Sequence, residues 1–160
     1  MSSQSPSRNH YPWLSLRVPP LVLAALFAIT MWSLPALLSI MIPGVWIVAC
    51  ALAMAGGSLC MAGVLAFRHA NTTVNPTNPE ASTALVVCGV YRLTRNPMYL
   101  GFALLLLALA VWLGKMSAIL LVPLFVAYLQ HFQIRPEEDA LHARFGVSFD
   151  IYCQQVRRWL

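Results

Sequence analysis

Arg95, Asn96 and Tyr99 stand close together in the chain, and about forty residues later come Arg135, Glu137 and Glu138. These side chains can do two kinds of chemistry. Carboxylates accept hydrogen bonds from hydroxyl and ammonium groups, guanidinium groups hold carboxylates or phosphates, and a tyrosine offers a ring and a hydroxyl. Together they could bind a small zwitterionic ligand, or they could neutralise one another as a structural ion-pair lock, and the residue types alone leave both readings open. Other chemistries have less support. His10, His69, His131 and His142 show no metal-ligand spacing, no G-x-G-x-x-G occurs, and Cys50, Cys60, Cys88 and Cys153 form no C-x-x-C pair, so they read as reduced packing residues.

The elements that must position these groups follow from composition. Of 160 residues 59% are apolar and 9% charged, with a mean hydropathy of +0.71, which excludes a soluble domain and a disordered chain. A bilayer fits about four spans of roughly 20 residues into this length. The apolar runs are expected at 18–41, 45–67, 97–113 and 116–132, in one all-α integral membrane domain covering 1–160. A removable leader is not expected, because the first run passes straight into the second through Pro43-Gly44. Along the second run Ala49, Ala53, Gly56, Cys60 and Gly63 form a small-residue seam for close helix packing, within one subunit or between two. Gly114-Lys115 joins the third and fourth runs in a hairpin, and Pro123 should kink the fourth. The alternative to an enzyme is a non-catalytic membrane scaffold or small transporter in which the same groups form the ion-pair lock, and the absence of charge from the runs argues against the transporter.

Arg8, Arg17, Arg68, Arg92, Arg95, Arg135, Arg144, Arg157 and Arg158 fall on one side of these runs and Lys115 on the other. That asymmetry places both termini in the cytoplasm, with a bacterial inner membrane as the expected location. It also accounts for the net charge of +5 without nucleic acid as a partner. The polar remainder is a cytoplasmic loop, 68–96, and a cytoplasmic tail, 133–160. The apolar second half of the loop should lie on the membrane surface or the tail. The tail reads as two short interfacial helices, the first opened by Pro136 and ended by Gly146, the second capped by Ser148 with Phe149, Tyr152, Cys153 and Val156 on one face. Because the hairpin at Gly114 brings the two outer ends of its arms together, Arg95, Asn96 and Tyr99 should lie near Arg135 and the glutamate pair.

The run from Val87 through Tyr91-Arg92-Leu93-Thr94-Arg95-Asn96-Pro97-Met98-Tyr99-Leu100-Gly101, followed by Glu137-Glu138-x-x-Leu141 and Phe145-Gly146-x-x-Phe149-x-x-Tyr152, resembles the isoprenylcysteine carboxyl methyltransferases and the related membrane phospholipid methyltransferases. The resemblance covers residues 83–158. It implies S-adenosylmethionine as cofactor, S-adenosylhomocysteine as product, and membrane lipids or a lipid-like or prenylated acceptor as partners. Carried over, the cofactor contacts would be Thr83, Ala84, Leu85, Val86, Tyr91, Asn96, Pro97, Met98, Tyr99 and Glu137. Arg95, Arg135 and Glu138 are the catalytic candidates. The family's arginine at the substrate carboxylate falls on Gln133, with Arg135 the nearest arginine. A sulfonium methyl is already electrophilic, so the protein must chiefly align the acceptor and exclude water, for which positioning is worth roughly 7–11 kcal/mol.

Overall fold

The computed structural model describes residues 18–39, 43–70 and 85–160. Among them all regular structure is helical apart from one isolated bridge between Ser39 and Lys115. The order is α1 (Pro20–Ser33), α2 (Val45–His69), a 3-10 turn (Gly89–Arg92), α3 (Pro97–Leu113), α4 (Met116–Leu129), a π-helical turn (Gln130–Ile134), α5 (Arg135–Phe145) and α6 (Val147–Gln155). Two helical runs, Val45–His69 and Met116–Phe145, are long and apolar enough to cross a membrane, whereas Pro20–Ser33 and Pro97–Leu113 are apolar but shorter.

The pair α2 and α3 packs closest, because the small-residue seam allows it. Ala49, Gly56 and Gly63 are buried, and the seam closes within one chain against Gly101, Pro97 and Met98. A Cβ added at Gly56 would stand 2.7 Å from the Gly101 carbonyl oxygen, which is backbone and cannot swing away, while one added at Gly57 would meet nothing within 4 Å. Gly56→Ala is therefore expected to destabilise the protein by about 1–3 kcal/mol. Gly57→Ala should stabilise it by up to about 1 kcal/mol through helix propensity. Thermal unfolding in detergent compares the two, and equal midpoints would refute the close contact.

Against α3 pack α1 and α4, around a core of Met31, Leu106, Ala110, Phe125 and Leu129, with the Phe27 and Phe125 rings edge to face at 5.2 Å. The first run departs from its expected helix over 18–41. Pro35 forces Leu34 out of the helical region (φ −66°, ψ 140°), so α1 stops at Ser33 although the sequence stays apolar. Polar groups of the α3–α4 corner satisfy the freed backbone. Lys115 Nζ donates to the carbonyls of Trp32 (2.9 Å) and Leu34 (3.0 Å), Ser117 Oγ to that of Pro35 (2.9 Å), and the Met116 amide to that of Leu38 (3.0 Å). At the other end Gln133 Nε2 donates to the Val18 carbonyl at 2.8 Å.

A second departure concerns the tail. No break separates the fourth run from the first tail helix: the chain stays helical from Met116 to Phe145 through the π turn. Proline at 136 lacks an amide hydrogen and would crowd the carbonyl four residues back, and the wider π turn just before it accommodates that defect. Gly146 (φ +50°) then ends α5 as expected, but α6 begins at Val147 with no side-chain cap, so Ser148 is not its cap. Phe149 and Tyr152 are the buried face of α6, Val156 just after it is buried with them, and Leu85 from the loop packs on this cluster. The loop's apolar half thus lies on the tail and, through Val86 and Tyr91, on the end of α2 at Ala66 and Phe67. The cysteines are free thiols, though Cys50 and Cys88 are exposed rather than buried.

Candidate functional site

The start of α3, the start of α5 and the last residues of the chain converge on two glutamates. Tyr99, one turn into α3, is 5% exposed and donates its hydroxyl to Glu137 Oε2 at 2.9 Å. The hairpin at Gly114 makes this meeting unavoidable once both helices form. Surrounding protein desolvates the Glu137 carboxyl and pushes it up to about 7; the Tyr99 hydrogen bond opposes that rise and the neighbouring Glu138 charge adds to it. Glu137 accepts through Oε2 alone among the described residues, so Oε1 keeps its full capacity for a donor.

Glu138 points into a different set of partners. Arg158 grips it bidentately, Nε to Oε1 at 3.1 Å and Nη2 to Oε2 at 2.5 Å, and Arg95 Nη1 lies 3.3 Å from Oε1. Arg95 also donates to the Cys153 thiol of α6, and its Nε is buried without a hydrogen-bond partner among the described residues. Glu138 is thus the shared counterion of two arginines from opposite ends of the site.

The C-terminal residues run across the loop before α3 like a strap. The Arg157 carbonyl accepts from the Arg95 amide at 3.0 Å, and the Arg158 carbonyl accepts from Thr94 Oγ1 at 3.2 Å and Asn96 Nδ2 at 2.9 Å. Trp159 Nε1 donates to Gln130 Oε1 at 3.0 Å, fixing the end of the strap to the π turn. Beneath it the Tyr152 hydroxyl donates to the Tyr91 carbonyl at 2.8 Å, and the Phe67 and Tyr91 rings meet edge to face at 5.4 Å. Burial holds the Tyr91 and Tyr152 phenols far above their ordinary range, so both remain neutral donors.

Of the residues expected from sequence, Val86, Tyr91, Asn96, Pro97 and Tyr99 are buried around this junction, with Leu85, Arg95, Met98, Glu137 and Glu138 partly exposed. Thr83 and Ala84 lie outside the described residues. Arg135 is not brought to the glutamates. Two residues before Glu137 on the same helix, it points about 200° away, is exposed, and among the described residues has its polar contact with His131 Nδ1, at 3.5 Å. Gln133, on which the family's substrate arginine falls, is fully buried with Oε1 unpaired among the described residues. Arg158 and the strap went unrecognised in the sequence, where Arg158 served only as a topological charge. The available signal was the scarcity of acids: with five in the chain and three of them adjacent, every nearby arginine competes for that cluster.

The model of a family described as phospholipid methyltransferase matches residues 44–148, about two thirds of the chain. The chain belongs to that family. The match includes α2, the whole of α3 and α4, and the glutamate pair, while the strap lies beyond it. An uncharacterized protein of Haemophilus influenzae is similar, 46% identical over 63 residues that cover 39% of this chain and all of the relative. No solved structure matches the chain. Family membership together with two membrane-length apolar helices makes this a membrane protein of a methyltransferase family.

Proposed function

We propose that the protein transfers the methyl group of S-adenosylmethionine to a lipid-like acceptor at the cytoplasmic face of a bacterial inner membrane. The observation that carries this reading is the Tyr99–Glu137 pair: a desolvated carboxyl with one oxygen uncommitted, inside the segment shared with the phospholipid methyltransferases. An acceptor group of this kind suits a ligand bearing both a cationic centre and ribose hydroxyls. When bound, S-adenosylmethionine supplies the electrophilic methyl.

The chain's own residues hold and shield it. Glu137 accepts from the cofactor, Tyr99 keeps that carboxylate oriented, and Asn96, Pro97, Met98 and Tyr91 enclose the pocket, with Leu85 and Val86 at its loop side. Glu138 and Arg95 fix the strap across it and exclude water. The acceptor supplies its own lone pair from a hydroxyl, amine, thiolate or carboxylate oxygen, so no nucleophilic side chain or metal is required.

Four crossings of the bilayer fit the same reading. The stretch from Val18 to Ser39 is tied to Gln133 at one end and to Lys115 at the other, so it runs the full length of α4 although only 14 residues of it are helical. Its non-helical backbone is satisfied by Lys115 and Ser117, as a membrane demands. With the arginines on the far side from Lys115, both termini face the cytoplasm.

The test is transfer of labelled methyl from S-adenosylmethionine into the organic phase of a bacterial membrane lipid extract by the purified protein. Label in a discrete lipid is expected. No label with any lipid class, combined with no binding of S-adenosylmethionine by calorimetry, would leave the glutamates as a structural lock and overturn the reading.

A further inference from the structure

Where Pro123 interrupts the hydrogen bonding of α4, the helix carries an open groove of about 600 Å³. Val122, Pro123, Val126 and Ala127 line its apolar length, and His131 and Arg135 close one end. The polarity is graded as a lipid is: apolar walls along the span, then the nitrogen groups of His131 and Arg135 on either side of Phe132, where the apolar run ends.

The charges single out Arg135 among the arginines near this junction. Arg95 and Arg158 share Glu138, whereas no carboxylate lies within ion-pair distance of Arg135 among the described residues. Its hydrogen-bond contact among the described residues is His131 Nδ1 at 3.5 Å; in the tautomer where that nitrogen accepts, Nε2 carries the proton and is a second donor. A guanidinium and an imidazole donor at headgroup depth, above an apolar groove, are complementary to a phosphate ester with acyl chains.

We propose that this groove binds one anionic glycerophospholipid, an acyl chain lying along Val122 to Ala127 and the phosphate held by Arg135 and His131, as a bound lipid distinct from the methyl acceptor. The geometry gives the two sites different side chains, since His131 and Arg135 line the groove while Arg95 and Arg158 hold Glu138. It also links them. Gln130 lines the groove and accepts from Trp159, so an occupied groove steadies the anchor of the strap. The proposal stands independently of methyl transfer.

The experiment is native mass spectrometry of the purified full chain with phosphatidylglycerol against phosphatidylcholine of equal chain length. A preference of tenfold or more for one phosphatidylglycerol is expected. Arg135→Gln should erase the preference by weakening phosphatidylglycerol alone, and Val126→Trp, which fills the groove and keeps both donors, should reduce retention of both lipids. Thermal unfolding in lipid-free detergent verifies that each variant is folded. Soluble glycerol phosphate at millimolar concentration should not displace the lipid. An unchanged preference in Arg135→Gln, unchanged retention in Val126→Trp, or displacement by glycerol phosphate would each overturn the proposal. None of these readouts requires S-adenosylmethionine, so failure here and failure of the methyl-transfer reading are separate results.

Discussion

Glu137→Gln is expected to weaken S-adenosylmethionine binding roughly 10- to 150-fold, the loss of one charge-assisted hydrogen bond worth about 1.5–3 kcal/mol. The unliganded variant should be at least as stable as the parent above pH 7. The two halves of this result have one cause. Glu137 is a carboxyl whose folded-state value is raised to about 7 from an ordinary 4.5, chiefly because the site desolvates it. Below pH 4.5 it is protonated whether folded or unfolded and carries no penalty. Between pH 4.5 and 7 the unfolded chain ionises it while the folded protein, in a poor environment for the charge, keeps the proton, so stability falls by an amount on the order of 3 kcal/mol and levels off above 7. Glutamine keeps a partner for Tyr99 without that cost, so the variant's stability should be flat across the same window.

Cofactor affinity moves the opposite way. A cationic ligand favours the ionised carboxylate, so the parent's affinity should rise from pH 6 to pH 8 and level off, with a proton released on binding near pH 6, while the variant stays flat. Calorimetry in buffers of different ionisation enthalpy reads both quantities. A pH-independent affinity in the parent, or a variant that binds as tightly, would remove Glu137 from the cofactor site.

How much of this was legible in the sequence depended on whether the deciding physics was local. The bounds of α3 follow from the chain itself, because Pro97 suits a first turn and Gly114 takes a left-handed conformation (φ +61°) that ends the helix. The approach of Tyr99 to Glu137 follows in turn from that hairpin. Hydropathy alone misled at both ends of the bundle. It measures burial in lipid, not helicity, so Val18 to Met41 read as one helix although Pro35 was in view, and the corner residues that rescue the broken backbone lie 80 or more positions away. Pro136 read as a helix start because a proline usually is one, and a π turn leaves no mark in residue types. Contacts of the strap to Thr94 and Asn96 span 64 and 62 residues through backbone carbonyls, which every residue possesses and no motif records.

That strap carries the largest stability effect. Glu138→Ala removes the one carboxylate shared by Arg95 and Arg158, whose side chains are 14% and 32% exposed, and leaves two guanidinium groups facing each other in partly desolvated surroundings. Stripping one partner from a fully buried pair costs about 3–5 kcal/mol, and the partial exposure of Arg158 places this change near the lower end. At about 2–4 °C per kcal/mol, the midpoint of thermal unfolding should drop by roughly 6–12 °C. Arg158→Leu should cost distinctly less, because Arg95 still neutralises Glu138 and the leucine can pack where the guanidinium stem lay. In Arg158→Leu the backbone bonds from Thr94 and Asn96 to the strap survive, whereas in Glu138→Ala repulsion between the two cations works to lift it. Hydrogen exchange at the Arg95 amide, which donates to the strap's Arg157 carbonyl, separates these cases. Fast exchange in Glu138→Ala with slow exchange in Arg158→Leu is the expected pattern. Equal protection in both would mean that the strap is held by its backbone alone and that Glu138 contributes nothing to closing the site.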